Sequence, residues 1–279
     1  MVNVMTQEVT DVQMKKYAKL IYDTAGIQVS LQKKQLMSNR LRRRLKATGI
    51  DCFDKYIKHL KSLKPSNPEW DCFLQEITTH ETYLFRDETH WKWLQQTFMP
   101  EFVKEVTHNK RQKNLRVWSA ACSTGDEAHS IACCVLDGIG LQQGWEINII
   151  GTDIGIGAVE KAREGVFNQR AMKLVPDVMK KRYFDRMGQV DVWQAKPTIK
   201  KLLNFKQHNL LNSLNERPFD LVFLKNVLIY FNTESKLTAI KHVSKLMKPG
   251  SYLVAGGAEG IGDMMQGYER LHPWLFRKQ

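Results

Sequence analysis

The sequence lacks several features that mark special classes of protein. Although 43% of its 279 residues are hydrophobic, no stretch reaches the roughly 18 uninterrupted apolar residues of a membrane-spanning helix. The N-terminus has Asn3, Gln7 and Glu8 where a secretory signal peptide would have an apolar core. We therefore expect a cytoplasmic protein, long enough to bury an α/β core and to carry a second small domain.

Cysteine is scarce, and its spacing suits neither disulfides nor zinc. Five cysteines are present, without a C-x-x-C pair: Cys52, Cys72, Cys122, Cys133 and Cys134. His80–Glu81 begins like the zinc-protease motif H-E-x-x-H, but the fifth position is Leu84. The sequence therefore predicts free, buried thiols and no metal site.

A glycine-rich dinucleotide loop is also missing. The segment 115–127 passes from a buried-strand pattern through small residues into a helix, which lets the backbone approach a ligand closely. The loop keeps Asp126 and Glu127 where a pyrophosphate would require neutral N–H groups. Asp153 ends the next predicted strand, where a carboxylate can accept both hydroxyls of a ribose. S-adenosylmethionine, a cationic nucleoside without phosphate, fits better than a dinucleotide; the alternative is a small-residue turn that binds nothing.

Positive charge is in excess and is unevenly distributed. The net charge is +13, and residues 1–75 hold 14 Lys and Arg against 7 Asp and Glu. The excess is concentrated in residues 31–46, which contain seven basic residues and no acidic one. Such a run either solvates a helix or docks on nucleic acid, an anionic membrane surface or an acidic helical partner.

A helix through this basic segment would be apolar on one side and cationic on the next. At 100° per residue, one stripe consists of Met37, Leu41 and Leu45. The neighbouring stripe carries Lys33, Arg40 and Arg44. The apolar stripe would anchor the helix to its own domain and leave the cations on the surface.

The pattern along the chain predicts an α/β fold preceded by a small all-α domain. Residues 1–78 form the helical domain, with helices at Val12–Ala25, in the basic segment, at Phe53–Leu63 and at Trp70–Thr78. Residues 79–110 are predicted to form a linker that is helical from Glu81 to Val106. Residues 111–279 alternate strand and helix, as a doubly wound parallel sheet requires.

One part of the second domain departs from this alternation. Val190–Trp193 and Thr198–Phe205 are predicted to be short antiparallel strands joined at Lys196–Pro197. They would form a small β-subdomain at about residues 188–206, inserted between elements of the parallel sheet.

Three segments together resemble one family. They are Thr82–Asp87, Ser119–Glu127 and Lys225–Phe231, the last of which follows the end of a predicted strand. They closely resemble the CheR-type chemotaxis methyltransferases, which make glutamyl methyl esters on chemoreceptors from S-adenosylmethionine. The resemblance covers nearly the whole chain and implies a doubly wound, Rossmann-like methyltransferase domain with an antiparallel β insertion, preceded by the all-α domain. His80 and Lys225 stand where family members commonly have Asn and Arg.

The resemblance also implies roles for individual residues. It places Arg86 and Tyr230 at the catalytic centre. The cofactor-binding positions are His80, Thr82, Arg86, Glu127, Asp153, Asn209, Leu210, Lys225 and Asn226. The receptor-docking positions are Lys33, Arg40, Arg43 and Arg44. The implied partner is the cytoplasmic helical bundle of a chemoreceptor. The enzyme is expected to be a monomer, and its product from the cofactor is S-adenosylhomocysteine.

Several alternatives remain open at this point. A nucleic-acid methyltransferase would suit the basic charge, but residues 226–230 lack the two prolines of the usual amino-methylating motif. A catalytically silent receptor-binding module could retain the same fold. Arg86 could be a surface ion-pair partner, Tyr230 could simply pack beside Phe231, and Asp153 could cap the helix that follows it.

Overall fold

The N-terminal part of the chain forms four helices around a core of its own. The computed structural model describes residues 7–78, 81–140, 143–188 and 191–279. The four helices are α1 (Asp11–Ala25), α2 (Lys34–Thr48), α3 (Phe53–Ser62) and α4 (Pro68–Ile77). α1 begins at a capping box in which Thr10 and Gln13 exchange side-chain and backbone hydrogen bonds. The predicted helices of this domain are confirmed, and a short 3₁₀ turn at Leu31–Lys33 precedes α2.

The core of this domain explains which face of α2 is buried. Met37, Leu41 and Leu45 are all buried, so the predicted apolar stripe is confirmed. They pack in one cluster with Tyr17 of α1 and Phe73 of α4. The cationic side chains lie outside this core, and Arg43 and Arg44 pair with acids of α4.

The connecting segment is less helical than the sequence predicts. Residues 81–87 form no helix, and α5 (Glu88–Trp93) begins only after them. The backbone is left-handed at Phe85, with φ of 57°, and at Asp87, with φ of 65°, which prevents helix formation there. A π-helical turn at Leu94–Phe98 then leads into α6 (Met99–Thr107).

The second domain is built on a seven-stranded mixed sheet. The strands along the described chain are β1 (Asn114–Ala120), β2 (Glu146–Asp153), β3 (Val166–Asn168), β4 (Phe184–Arg186), β5 (Val192–Ala195), β6 (Leu203–Gln207), β7 (Phe219–Leu224), β8 (Met247–Ala255), β9 (Tyr268–His272) and β10 (Leu275–Lys278). The main sheet has the order β6-β2-β1-β7-β8-β10-β9. Its first five strands are parallel, and β10 is antiparallel to both of its neighbours. The strand order reverses between β1 and β7, so the predicted doubly wound fold is confirmed.

Helices cover this sheet on both faces. They are α7 (Asp126–Ile139), α8 (Ile156–Glu164), α9 (Asp177–Tyr183), α10 (Pro197–Lys200) and α11 (Thr233–Lys245). Along β1, Val117 packs with the core cluster on one face while Trp118 packs with the cluster on the other. Because both faces are buried, the central strands are continuous apolar runs rather than alternating ones.

The predicted pairing in the β-subdomain is wrong. The small antiparallel sheet has the order β3-β5-β4, so β5 pairs with strands that precede it in the chain. The segment Pro197–Lys200 is helical, and Leu203–Gln207 joins the main sheet in parallel beside β2. A half-exposed edge strand and a hairpin strand share short apolar alternation, which is why the sequence pattern did not separate them. Val190 lies outside the described residues.

Two further expectations concern thiols and membranes. All five cysteines are free, as predicted, and Cys122, Cys133 and Cys134 are buried. Cys52 and Cys72 are only partly buried, so that part of the prediction is wrong. Within the described ranges, no helix combines the length and the apolar character needed to cross a membrane.

Candidate functional site

A cleft opens where the strand order reverses, at the carboxyl ends of β1, β2 and β7. Open α/β sheets bind ligands at this position. The cleft encloses a cavity of about 170 Å³ and is lined by both domains. The predicted site residues that line it are Thr82, Arg86, Glu127, Asp153, Asn209, Leu210, Lys225, Asn226 and Tyr230. His80 lies outside the described residues.

The loop after β1 forms the floor of the cleft with a strained backbone. Ala121 has φ of 60°, Ser123 has φ of 51° and Gly125 has φ of 85°. A Cβ atom at Gly125 would lie 2.7 Å from Cβ of Ala162 and 3.0 Å from its Cα, so this position requires glycine for space as well as for conformation.

Asp153 is fixed by two backbone N–H groups. Its Oδ2 accepts from the backbone N of Ser123 at 2.8 Å, and its Oδ1 accepts from that of Gly155 at 3.0 Å. α8 begins after Gly155, which is its N-cap, so Asp153 is not the cap residue of that helix. The carboxylate therefore joins the ends of β1 and β2 and retains lone pairs for a ligand.

Glu127 is a buried carboxylate opposite a buried ammonium group. Ser119 Oγ donates to its Oε1 at 2.8 Å, and Lys225 Nζ lies 3.6 Å from its Oε2. Burial raises the pKa of the Glu127 carboxyl, although Lys225 and Ser119 oppose that shift.

Lys225 links the cofactor side of the cleft to the segment that carries Arg86. Its Nζ lies 3.2 Å from Asp87 Oδ2 and donates to the Arg86 carbonyl at 3.3 Å, and its side chain is 2% exposed. The ammonium also lies 5.3 Å from the ring centroid of Trp91. Lys225 thus compensates two carboxylates, those of Asp87 and Glu127.

The backbone around Arg86 is fixed, while its side chain reaches into the cleft. Ser130 Oγ accepts from the Phe85 N–H at 2.9 Å, and Trp91 Nε1 donates to the Arg86 carbonyl at 2.7 Å. The guanidinium makes one neutral hydrogen bond, to the Glu81 carbonyl at 3.2 Å. None of the ion pairs found among the described residues involves Arg86, so the alternative that it is a surface ion-pair partner finds no support there.

Tyr230 lies on the opposite wall, where the two domains meet. Its carbonyl accepts from the Gln28 N–H at 2.8 Å, and Ile27 forms an isolated β-bridge with Phe231. The segment between α1 and α2 therefore packs along the chain that carries Tyr230. The N-terminal domain completes the cleft rather than standing apart from it.

Asn209 has partners at the domain interface. Its Nδ2 donates to the Thr24 carbonyl at 2.8 Å, and its Oδ1 accepts from the Leu211 N–H at 3.0 Å. Leu210 is buried and presents an apolar surface at the same wall. This part of the cleft suits a flat apolar group such as an adenine ring.

The four predicted docking cations separate into two pairs. Lys33 and Arg40 line the cleft, and Arg40 donates through Nη1 to the Ile77 carbonyl. Arg43 and Arg44 lie away from it and pair with Glu76 and Glu69 of α4, each at 2.6 Å. The basic stripe is therefore partly compensated within its own domain.

Two cleft residues, and a third residue behind the cleft, had no role in the prediction from sequence. Trp91 lines the cleft and stacks on Phe223 with ring centroids 5.6 Å apart. Ser123 lines the cleft, and its buried Oγ has no hydrogen-bond partner among the described residues. Glu259 accepts from the backbone of the segment after β7. Nothing in the local sequence pattern distinguishes Trp91 or Ser123 from residues that only pack in the core. The acidic residue in Gly256–Glu259 could have indicated a functional role, but none was predicted for it.

The polar side chains of the cleft fit S-adenosylmethionine. The Glu127 and Asp153 carboxylates suit an ammonium group and a ribose. A dinucleotide would place phosphates against these two acids. Within the described ranges, no group of three or more His, Cys, Asp or Glu side chains is placed to hold a metal ion.

The fold and the site together define an S-adenosylmethionine-dependent methyltransferase. The family described as the SAM-binding domain of CheR methyltransferase matches residues 80–273. Its companion, the all-alpha domain of CheR methyltransferase, matches residues 13–78. The chain belongs to the CheR methyltransferase family, which confirms the predicted fold, cofactor and enzyme class.

Curated relatives match the chain over most of its length. The chemotaxis protein methyltransferase of Salmonella typhimurium is 32% identical over 275 residues, which cover 94% of this chain and 89% of that protein. The protein of the same name from Borreliella burgdorferi is 30% identical over 256 residues, 91% of this chain and 89% of its own. The Escherichia coli chemotaxis protein methyltransferase is 32% identical over 267 residues, 91% of this chain and 86% of its own.

Proposed function

We propose that this enzyme methylates glutamate side chains on the cytoplasmic helical bundle of a chemoreceptor. The observation that supports this most directly is the composition of the cleft. Two carboxylates, Glu127 and Asp153, lie at its cofactor end, and the Arg86 guanidinium lies in the same cavity without a carboxylate partner among the described residues. The relatives are named as chemotaxis protein methyltransferases, which agrees with a receptor substrate.

The chemistry requires alignment more than proton transfer. S-adenosylmethionine supplies an electrophilic methyl group, and its transfer to a carboxylate oxygen leaves a methyl ester and S-adenosylhomocysteine. A substrate glutamate, with a reference pKa of about 4.3, is already ionised at neutral pH, so no general base is needed. The enzyme instead holds a weak nucleophile in attack geometry, away from water.

Arg86 and Tyr230 have the positions that this task requires. Arg86 orients the incoming carboxylate through a charge-assisted hydrogen bond. Tyr230 lines the same cavity from the opposite wall, at the interface between the two domains. It positions the reacting groups through its hydroxyl or its ring face. Glu127, Asp153, Thr82, Lys225 and Asn226 hold the cofactor, with Leu210 and Asn209 beside the adenine, and His80 is retained from the resemblance as a further cofactor residue.

The basic helix α2 gives the enzyme a way to recognise an acidic helical substrate. Lys33 and Arg40 lie at the cleft, so a helix that brings a glutamate to Arg86 passes over them. Arg43 lies further along α2, and its side chain is 57% exposed. A monomer in the cytoplasm suffices for this reaction because both domains that form the cleft come from one chain.

The first experiment incubates the protein with methyl-labelled S-adenosylmethionine and receptor-containing membranes. Label that mild base releases as methanol from the receptor supports a glutamyl methyl ester. Cofactor binding without base-labile label on any receptor contradicts the proposed substrate and favours a receptor-binding module. Label that is lost after nuclease treatment of a crude substrate favours a nucleic-acid methyltransferase.

Substitution of Arg86 tests the proposed orienting group. We expect Arg86→Ala to lower turnover by about 100-fold or more, because the carboxylate loses its charged partner, while cofactor affinity changes only a few-fold. Arg217→Ala is the matched control, since that side chain is 74% exposed and precedes β7, at the opposite end of the strand from the cleft. Turnover in Arg86→Ala equal to that of the control would exclude the role.

A further inference from the structure

Glu259 is a buried acid with an unusual environment. It is 1% exposed and follows the end of β8, next to the strand whose end leads into the cleft. Among the described residues, no Lys, Arg or His nitrogen forms an ion pair with its carboxylate, and Lys236 donates instead to its backbone carbonyl. A buried charge requires compensation from some other source.

Backbone N–H groups provide that compensation. The Asn226 N–H donates to Glu259 Oε1, and the Ile229 N–H donates to Oε2 at 3.0 Å. Two backbone amides, one at each end of the segment 226–229, thus hold the two oxygens of one carboxylate.

The segment that Glu259 holds is the one that leads from β7 to Tyr230. Asn226 has φ of 57°. This left-handed conformation costs free energy and persists only where surrounding contacts enforce it. The chain then enters the 3₁₀ turn Leu228–Tyr230. Cleft residues Lys225, Asn226 and Tyr230 therefore belong to the segment 226–229 or directly flank it.

Gly256 leaves the space that this contact needs. A Cβ atom at Gly256 would lie 2.7 Å from Glu259 Oε1 and 3.3 Å from the Asn226 nitrogen. Its φ is not positive, so the position requires glycine because of the close approach of the Glu259 carboxylate and not because of backbone conformation.

We propose that Glu259 is a positioning residue for methyl transfer, which acts by fixing residues 226–229 and through them Asn226 and Tyr230. This inference rests on the proposed function, since the role of Tyr230 does. Glu259 does not line the cleft and touches neither reactant, so it acts only through the segment that it holds. Its effect should consequently appear in turnover more than in cofactor affinity.

The test compares Glu259→Gln with the wild type in kcat and in the dissociation constant of S-adenosylhomocysteine. We expect kcat to fall about 10-fold or more while the dissociation constant changes less than about 3-fold, because glutamine lacks the charge and one of the two oxygens that accept from Asn226 and Ile229. Gly256→Ala, which crowds the same oxygen, should lower kcat in the same direction. A folded Glu259→Gln variant with wild-type kcat overturns the proposal.

Asp220→Asn is the matched control for loss of a buried carboxylate. Asp220 is a buried residue near the start of β7, at the end of the strand far from the cleft. Its carboxylate accepts hydrogen bonds from the Arg116 N–H at 2.9 Å and from Arg111 Nη1 at 2.8 Å. This variant should lose stability but retain wild-type kcat. An equal loss of kcat in Asp220→Asn would mean that general destabilisation explains the effect, and would overturn the proposal.

Two further measurements separate positioning from structure alone. In a double-mutant cycle, Glu259→Gln and Tyr230→Phe should be non-additive in kcat, because one acts through the segment that carries the other; additive losses contradict this. Hydrogen exchange of the amides of residues 226–229 should be at least about 10-fold faster in Glu259→Gln. Unchanged hydrogen exchange of these amides in Glu259→Gln overturns the inference, whether or not the wild type methylates receptors. Failure of the wild type to methylate receptors refutes the proposed function independently.

Discussion

At the level of single residues, backbone strain is concentrated at the active site. The non-glycine residues with positive φ in the described parts of the chain are Phe85, Asp87, Ala121, Ser123, Asn226 and Asn109. All but Asn109 lie in the three segments that form the cleft. Such conformations persist only where surrounding contacts enforce them. The side chains of Ser130, Asp153 and Glu259 supply such contacts, since they accept hydrogen bonds from the backbone N–H groups of Phe85, Ser123 and Asn226.

Asp126 gives a pH-dependent prediction at the same scale. Burial raises the pKa of its carboxyl from the ordinary value of 3.8 to about 6, although Thr124 Oγ1 donates to it at 2.6 Å. The folded state therefore binds this proton more tightly than the unfolded state, and ionisation removes stability as the pH rises from about 4 through 6. Above that range, the loss is at most about 3 kcal/mol.

We accordingly expect Asp126→Asn to become more stable relative to the wild type as the pH rises. The variant cannot ionise at this position, so the difference in unfolding free energy should increase from pH 4.5 to pH 7.5. Denaturant unfolding of both proteins across this range measures it. The difference between proteins isolates this group from other titrating residues, such as His129, whose pKa burial lowers to about 4. A difference that is constant with pH contradicts the assignment.

At the level of elements, Arg43 and Arg44 of α2 both pair with acids of α4 but differ in how far their ion pairs are buried. Arg44 makes two hydrogen bonds to Glu69, from Nε at 3.1 Å and from Nη2 at 2.6 Å, and Tyr56 donates to the same carboxylate at 2.6 Å. The Arg44 and Glu69 side chains are 15% and 13% exposed. Arg44, predicted to dock on the receptor, is therefore better explained as a structural partner that joins α2 to α4.

Arg44→Ala should destabilise the N-terminal domain by about 3 kcal/mol, because it leaves Glu69 as a largely buried, uncompensated charge. Arg43→Ala should cost less than about 1 kcal/mol, since its pair with Glu76 is exposed to water. Denaturant unfolding of the two variants provides the comparison. Equal losses of unfolding free energy would mean that the Arg44–Glu69 pair stabilises the domain no more than the Arg43–Glu76 pair does. For receptor docking, charge reversal at Arg43 is consequently a cleaner probe than reversal at Arg44.

At the level of the whole molecule, the two domains meet along the segment that follows α1. Gly26 has φ of 70°, and a Cβ there would lie 2.7 Å from Leu211 Cδ1 and 3.0 Å from Ser235 Oγ. Both atoms belong to the methyltransferase domain. Residues 27–30 then line the cleft, so the fit of Gly26 against the second domain affects the cofactor site.

Gly26→Ala should therefore destabilise the protein and also weaken binding of S-adenosylhomocysteine. Gly49→Ala is the matched control, because Gly49 has φ of 71° with no atom within 4 Å of the added Cβ. Both substitutions incur the cost of a left-handed alanine, about 1 kcal/mol, but only the first crowds the domain interface. Unfolding curves and ligand titrations measure the two effects. Identical behaviour of the variants would show that the interface tolerates the added methyl group.

The sequence by itself determined the helical domain, the parallel strands other than β6, and the two acids of the cleft. Strand ends, apolar periodicity and the acids Glu127 and Asp153 are local signals, and a doubly wound sheet brings successive strand ends to one edge. Resemblance to a family supplied the other predicted cleft residues, among them Arg86 and Tyr230, whose roles no local pattern encodes.

Only the tertiary structure decided the partners of these residues. It placed β6 in the main sheet, paired Arg44 with Glu69, and set Glu259 against the amides of residues 226–229. Each outcome depends on contacts between segments distant in the chain, so strand pairing, ion pairing and burial could not be derived from the short-range pattern of either segment alone.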